Sequence, residues 1–141
     1  MICTRRFESV FDHLTIINAL AILKEKKIDF KMTFVGNGSL LESVKEHVSK
    51  LGLSDKVNFL GKVNNDELPG LLAQNDIYLS ASKWDGTSLS LMEAMACGLF
   101  PIVSDINANS CWIQNEVNGY LHKVGNAESL ASCIIKLLDN S

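Results

Sequence analysis

Residues 31–52 read KMTFVGNGSLLESVKEHVSKLG, and this stretch contains the pattern that predicts the fold. Its first five residues, Lys31–Val35, are typical of a strand, which Gly36-Asn37-Gly38 would end. Ser39 and Glu42 have the spacing of a capping box, in which two side chains bond to the backbone at a helix start. We therefore expect a helix over 40–51, ended by the glycine that follows it.

Strands and helices of this kind alternate along the whole chain. Six strands are predicted: Ile2–Thr4, Lys31–Val35, Val57–Leu60, Asp76–Leu79, Phe100–Ser104 and Gly119–Leu121. Five helices are predicted: Phe11–Lys26, Leu40–Leu51, Asp66–Ala73, Ser88–Cys97 and Ala127–Leu138. Runs such as Phe100-Pro101-Ile102-Val103 are apolar throughout, as in a parallel sheet that is buried on both faces. We predict an α/β fold: a doubly wound, mostly parallel, six-stranded Rossmann-like sheet with helices on both faces.

The composition excludes several classes of protein. The 141 residues carry a net charge of −3, so no basic field would attract nucleic acid or anionic lipid. No apolar run approaches the roughly 20 residues that span a bilayer, and the amino terminus lacks the apolar stretch of a signal peptide. The four cysteines are scattered and show no metal-ligand spacing, so we expect free thiols, no metal site and a cytoplasmic protein. A single domain, 1–141, is the expected organisation.

The glycine pair of the opening stretch is weak evidence for a nucleotide site. A dinucleotide fingerprint needs a third glycine, and position 41 is leucine. We interpret Gly36-Asn37-Gly38 as a tight turn, with a pyrophosphate cradle as the less favoured alternative. The sequence also lacks a P-loop and a GxSxG pattern, which argues against P-loop and hydrolase chemistry.

A second stretch, KWDGTSLSLMEAMACG at 83–98, has the features of an anion site. It follows a predicted strand and enters a predicted helix. Gly86 would let the backbone approach a ligand without an intervening side chain. The amides of Thr87, Ser88 and Leu89 would be free donors at the positive end of the helix dipole, which suits a diphosphate.

Two carboxylates in the same stretch could bind hydroxyl groups. Asp85 and Glu93 stand eight positions apart and could contact opposite ends of one extended ligand. The alternatives are structural. Ser90 and Glu93 also have capping-box spacing, so Glu93 would serve only to cap the helix. Asp85 would serve only to favour the turn in the loop. For Trp84 and Trp112 we expect structural roles, with stacking of Trp84 on a ligand as the alternative.

With these patterns in order, the sequence resembles the retaining glycosyltransferases of family 4 (glycosyl transferases group 1), which have the GT-B fold. The resemblance rests first on Asp85-x7-Glu93 and on the run EAMACGLFPIV that begins at Glu93. Further matching motifs are FVGNG at 34–38, VNFLGKV at 57–63, LPGLL at 68–72 with DIYLS at 76–80, and EVNGY at 116–120. The resemblance covers nearly the whole chain and implies the carboxyl-terminal, donor-binding half of a GT-B fold.

The resemblance also implies roles for individual residues. Glu93 matches the acid that holds the nucleotide ribose, and Asp85 matches the acid that contacts the donor sugar. The implied donor-binding residues form two loops: Gly86, Thr87, Ser88 and Leu89 around the donor, and Gly61, Lys62 and Val63 around the base.

One implied element, the cationic clamp on the diphosphate, departs from the family pattern. Arg6 matches the arginine of the family's R-x4-K motif and is implied as a catalytic residue. The lysine position is occupied by Phe11, so Arg5 or another domain would have to supply the second charge. The first acid is Asp85 instead of glutamate, so its reach is one methylene shorter.

The implied activity is transfer of a sugar from a nucleoside-diphosphate sugar to a glycan or lipid-linked acceptor, with retention of configuration and without a metal or cofactor. The implied partner is an amino-terminal acceptor domain of the same enzyme, and any membrane association of this cytoplasmic protein would reside there. Without that domain we expect the chain to fold but not to transfer sugar. The alternative is a non-catalytic nucleotide-binding or interaction domain with a decayed site.

Overall fold

The computed structural model describes Met1–Ser141 and contains one six-stranded sheet with the strand order β3-β2-β1-β4-β5-β6. All pairs of neighbouring strands are parallel, which confirms the predicted doubly wound α/β fold. The strands are β1 (Ile2–Cys3), β2 (Met32–Phe34), β3 (Val57–Phe59), β4 (Ile77–Ser80), β5 (Phe100–Ser104) and β6 (Tyr120–His122). The helices are α1 (His13–Glu25), α2 (Leu41–Lys50), α3 (Leu68–Ala73), α4 (Leu89–Ala96), α5 (Asn107–Ser110) and α6 (Ala127–Asp139).

The sheet is buried on both faces because alternate strand residues enter two apolar cores. One core receives Cys3, Phe34 and Leu79 from the strands and is covered by α1, α2 and α6. The other receives Ile2 and Tyr78 and is covered by α3 and α4. This double burial explains why the strands are apolar at nearly every position. None of the helices combines the length and the apolar character that a membrane span needs.

The strand order reverses between β1 and β4, and this point determines where a ligand can bind. In open parallel sheets the crevice beyond the carboxyl ends of the strands at such a switch point is the usual ligand site. The loops that follow β1 and β4 meet there, and the amide of Lys83 donates to the carbonyl of Val10 over 2.8 Å. The second stretch identified from the sequence, 83–98, comprises most of the loop after β4 and the whole of α4.

The glycines at 36 and 38 lie in a loop that is bonded to the loops after β1 and β3. Gly36 has a φ of 125°, and its amide donates to the carbonyl of Gly61 over 2.8 Å. A side chain on Gly38 would place its Cβ within 2.6 Å of the carbonyl carbon and amide nitrogen of Phe7. The segment 36–38 therefore packs backbone against backbone. The predicted tight turn does not close within it, and a turn begins only at Gly38, whose carbonyl accepts the amide of Leu41 over 3.3 Å.

The capping box predicted at Ser39 is wrong, and the one considered as an alternative at Ser90 does not form either. Helix α2 begins at Leu41, and Ser39 instead donates its amide and its hydroxyl to Glu8, over 3.2 and 2.6 Å. Helix α4 begins at Leu89, so Ser90 lies inside it and does not cap it with Glu93. Glu93 therefore does not serve as a helix cap, which was the structural alternative for this residue.

Other differences from the prediction are small. A 3₁₀ turn occupies Ser9–Phe11, so α1 begins at His13 instead of Phe11. The short helix α5 was not predicted. The remaining strands and helices lie within about two residues of their predicted bounds, the usual uncertainty of helix and strand ends.

Candidate functional site

An ion pair between the loops after β1 and β4 lies at the centre of the candidate site. Nη2 of Arg5 donates to Oδ2 of Asp85 over 2.7 Å, and Nη1 donates to the hydroxyl of Ser90 over 3.2 Å. The two charged side chains are only 11% and 14% exposed. Each charge therefore depends on the other for its compensation, because water is largely excluded from both.

The guanidinium of Arg5 also contacts an aromatic ring. Its central carbon lies 4.2 Å from the ring centroid of Phe11, which is a cation–π contact. Its Nε is buried and has no hydrogen-bond acceptor. An arginine so oriented is rigid and has donor capacity left over.

Arg6, which the resemblance implied as the phosphate cation, lies elsewhere. Its side chain is 75% exposed and forms a loose ion pair with Glu8 at 3.8 Å. The structure thus brings Arg5, not Arg6, together with Asp85. The sequence contained both arginines side by side, and only the path of the chain beyond β1 distinguishes them.

The turn from Asp85 into α4 presents unpaired amides. The backbone N–H groups of Thr87, Ser88 and Ser90 donate to no acceptor in the chain, whereas that of Leu89 donates to the carbonyl of Thr87 over 3.0 Å. Thus two of the three expected amides are free, and Ser90 adds another. Free amides at a helix start favour an anionic ligand.

Glu93 lies on α4 beside a separate cavity. Its exposed carboxylate makes no hydrogen bond or ion pair within the chain. The cavity has a volume of about 380 Å³, and Glu93 shares its lining mainly with apolar side chains of α3 and α4, together with Asn65 and Cys97. Such a cavity can accept a flat apolar group while the carboxylate accepts hydrogen bonds at its edge.

The loop implied to line the base lies after β3. Gly61 accepts the amide of Gly36, Lys62 is exposed, and Val63 packs against the second core beside α3. None of the three is among the residues that line the cavity beside Glu93. The structure therefore places Gly61 against the segment 36–38 and Val63 against the second core, and it does not place this loop in the cavity beside Glu93.

Trp84 does not have the structural role expected of it. Its side chain is 70% exposed, and that of Trp112 is 47% exposed. Both aromatic rings are therefore available at the surface, with Trp84 directly beside Asp85 in the sequence.

A buried histidine lies behind Arg5 and carries no charge near neutral pH. His13 stacks on Phe7 with a centroid distance of 4.2 Å, and its Nε2 lies 3.1 Å from the carbonyl oxygen of Arg5. Burial lowers the pKa of His13 from 6.5 to about 4, although the hydrogen bond to the backbone carbonyl of Arg5 acts in the opposite direction. Arg5 is therefore the cation that this part of the fold supplies.

Ser88 is connected to a buried polar network that the sequence did not reveal. Its hydroxyl donates to Oδ1 of Asn109 over 2.7 Å, and Nδ2 of Asn109 donates to the carbonyl of Ser104 over 2.8 Å.

No cluster of three His, Cys, Asp or Glu side chains suited to a metal ion is present in the chain.

Comparison with known proteins identifies one family over the whole chain. The family described as "Glycosyl transferases group 1" matches residues 1–141. Among curated relatives, an α-1,3-galactosyltransferase of Escherichia coli that acts with UDP-Gal on α-D-GlcNAc-diphosphoundecaprenol is 30% identical over 113 residues. The N-acetyl-α-D-glucosaminyl L-malate synthase of Bacillus anthracis is 36% identical over 112 residues.

These matches cover 79% of this chain but only 29% of either relative. Among solved structures, the pneumococcal O-GlcNAc transferase GtfA, in complex with UDP and GlcNAc, superimposes with a TM-score of 0.90 at 22% identity. That superposition covers 99% of this chain and 28% of the other. At this identity the likeness supports the fold, and the chain spans less than a third of these proteins.

Proposed function

Because the chain belongs to the glycosyl transferases group 1 family, we propose that it is the domain of a glycosyltransferase that binds a nucleoside-diphosphate sugar. The observation that carries the proposal is the pairing of a rigid buried cation with free amides at one helix start. Arg5, paired with Asp85, and the amides of Thr87 and Ser88 are held by adjoining loops at the switch point of the sheet. This is the chemistry that a diphosphate needs.

The diphosphate would lie between Arg5 and the start of α4. Arg5 takes the role that the resemblance implied for Arg6, since the guanidinium of Arg6 is directed to solvent and Glu8. The Nε of Arg5 has no acceptor but is itself buried, so the positive charge of the guanidinium, and not this donor, would attract the diphosphate. Hydrogen bonds between charged partners are roughly twice as strong as neutral ones, so a contact between the Arg5 guanidinium and the diphosphate would be the strongest in the site.

The nucleoside would extend from the diphosphate along α4. The free carboxylate of Glu93 is suited to accept hydrogen bonds from the two ribose hydroxyls, and the apolar cavity beside it is suited to the base. The loop Gly61–Val63 would complete the base site from the side of α3. Asp85 and Trp84 are the residues available to the donor sugar.

The reaction we propose is transfer of the sugar from the diphosphate to a glycan or lipid-linked acceptor, with retention of configuration and without a metal ion. Negative charge develops on the departing diphosphate, so fixed donors aimed at it lower the barrier. Arg5 and the amides of Thr87 and Ser88 are such donors. The acceptor would be held by a further, amino-terminal domain, and the curated relatives are more than three times as long as the matched region.

The proposal is tested by thermal unfolding in the presence of UDP, GDP, ADP and their sugar conjugates. A ligand at about 100 times its Kd adds about 2.7 kcal/mol of stability, which is readily measured. We expect one base to stabilise the wild-type chain and the Arg6→Gln variant alike, and Arg5→Gln to abolish that increment. Equal loss in both arginine variants, or none in either, would refute the assignment of the phosphate site.

A further inference from the structure

We propose that Asn109 is a positioning residue, which holds the diphosphate-binding turn in place through the hydroxyl of Ser88. The inference rests on the proposed function, because it concerns the same turn. Asn109 lies in α5, is 2% exposed and has no route to a ligand of its own. Its effect on binding would therefore be transmitted entirely through Ser88.

The orientation of the Asn109 amide is fixed by its surroundings. Nδ2 donates to the carbonyl oxygen of Ser104 over 2.8 Å, and Oδ1 accepts from Ser88 over 2.7 Å. The reversed amide would place Oδ1 against the Ser104 carbonyl, two acceptors without a proton between them. The side chain consequently presents only an acceptor to Ser88.

This orientation commits the single hydrogen of the Ser88 hydroxyl. Because the hydrogen is donated to Asn109, it is not available to Asp85, whose Oδ2 lies at the longer distance of 3.4 Å. For the same reason this hydrogen is not available to a phosphate. The Ser88 side chain is thus an anchor, and the backbone amides beside it are the groups left for a ligand.

The end of strand β5 also holds the beginning of the loop that leads from β4 to α4. The hydroxyl of Ser104, the last residue of β5, donates to the carbonyl of Ser82 over 2.6 Å. The segment between Ser82 and Ser88, which contains Asp85, is therefore fastened to β5 and α5 at both ends. Loss of the Asn109 amide would release one end and allow the amides of Thr87 and Ser88 to move relative to Arg5.

The test compares affinity for UDP with affinity for uridine in Asn109→Ala. The matched control is Asn107→Ala, a change of the same residue type at an exposed position of the same helix. We expect Asn109→Ala to raise the Kd for UDP about tenfold, the value of one buried hydrogen bond, and to change the Kd for uridine less than twofold. Asn107→Ala should leave both unchanged.

Two outcomes would overturn the inference. If Asn109→Ala lowers thermal stability but leaves the ratio of the two dissociation constants unchanged, its role is structural only. If the wild-type chain binds UDP, GDP and ADP no better than the nucleosides, the proposed function fails and the inference falls with it.

A second variant keeps the test usable should Asn109→Ala not fold. Ser88→Ala removes the same hydrogen bond from the other side, and we expect the same loss of UDP affinity. In the double variant the two losses should not add, because both changes remove one interaction. Additive losses would contradict transmission through Ser88.

Discussion

Replacement of Asp85 by alanine should destabilise the folded chain far more than loss of a surface ion pair. The change leaves the guanidinium of Arg5, whose side chain is only 11% exposed, with Ser90 as its remaining polar partner. Breaking a buried pair costs about 3–5 kcal/mol, and the residual exposure of both side chains favours the lower value, about 3 kcal/mol. In a domain of this size such a loss lowers Tm by about 10 °C.

The measurement is urea unfolding of the wild type and of Asp85→Ala, with the loss read from the shift in midpoint at unchanged slope. Glu46→Ala is the control, because it removes an exposed i,i+4 pair with Lys50 at 3.2 Å and should cost less than about 0.5 kcal/mol. The double variant Arg5→Leu/Asp85→Ala should recover much of the loss, since it leaves no charge unpaired. A cost below about 1 kcal/mol for Asp85→Ala would refute the reasoning, because the guanidinium would then be satisfied by water.

Three further predictions concern other parts of the fold. Because folding lowers the pKa of His13 from 6.5 to about 4, the unfolded chain binds this proton more tightly. Stability should therefore be complete above about pH 6.5 and fall by about 3 kcal/mol as the pH approaches 4; His13→Gln should flatten that slope in urea unfolding at several pH values, and an unchanged slope would contradict it. Gly38→Ala should lower the free energy of unfolding by about 1–3 kcal/mol, because its Cβ meets the backbone of Phe7. Gly70→Ala in α3, whose Cβ meets nothing within 4 Å, should instead raise it by about 0.5–1 kcal/mol. Equal effects of the two changes on stability would show that the backbone of Phe7 does not constrain Gly38. Burial raises the pKa of Cys3 to about 11, so iodoacetamide should modify the exposed Cys111 quickly and Cys3 only after unfolding, as mass spectrometry of the two peptides can decide.

The sheet could be predicted from sequence because its strands are short apolar runs separated by turn residues and amphipathic helices. Those patterns depend on local periodicity, which the sequence displays directly. Helix α5, whose four residues read NANS, has no apolar period and could not be recognised. The capping box at Ser39 failed because Glu8, 31 residues earlier in the chain, binds Ser39 instead.

The candidate site was predictable in part for the same reason. Asp85 and Glu93 belong to one continuous motif, 83–98, which can be read directly from the sequence. The choice between Arg5 and Arg6 depends on which way the chain turns after β1, where the backbone of Phe7 packs against Gly38 from a distant part of the sequence. Asn109 was missed because its partner Ser88 is 21 residues away and neither residue belongs to a recognisable spacing.

The most direct test of the proposed nucleotide site is calorimetric titration of UDP, GDP and ADP into the wild-type chain and into Glu93→Gln. Glu128→Gln, at an exposed position of α6, is the control for loss of one negative charge. We expect one of the three nucleotides to bind the wild type and the control equally, with the affinity reduced about tenfold or more in Glu93→Gln. Equal affinity of all three chains, or no binding by any of them, would contradict a nucleoside-diphosphate site beside Glu93.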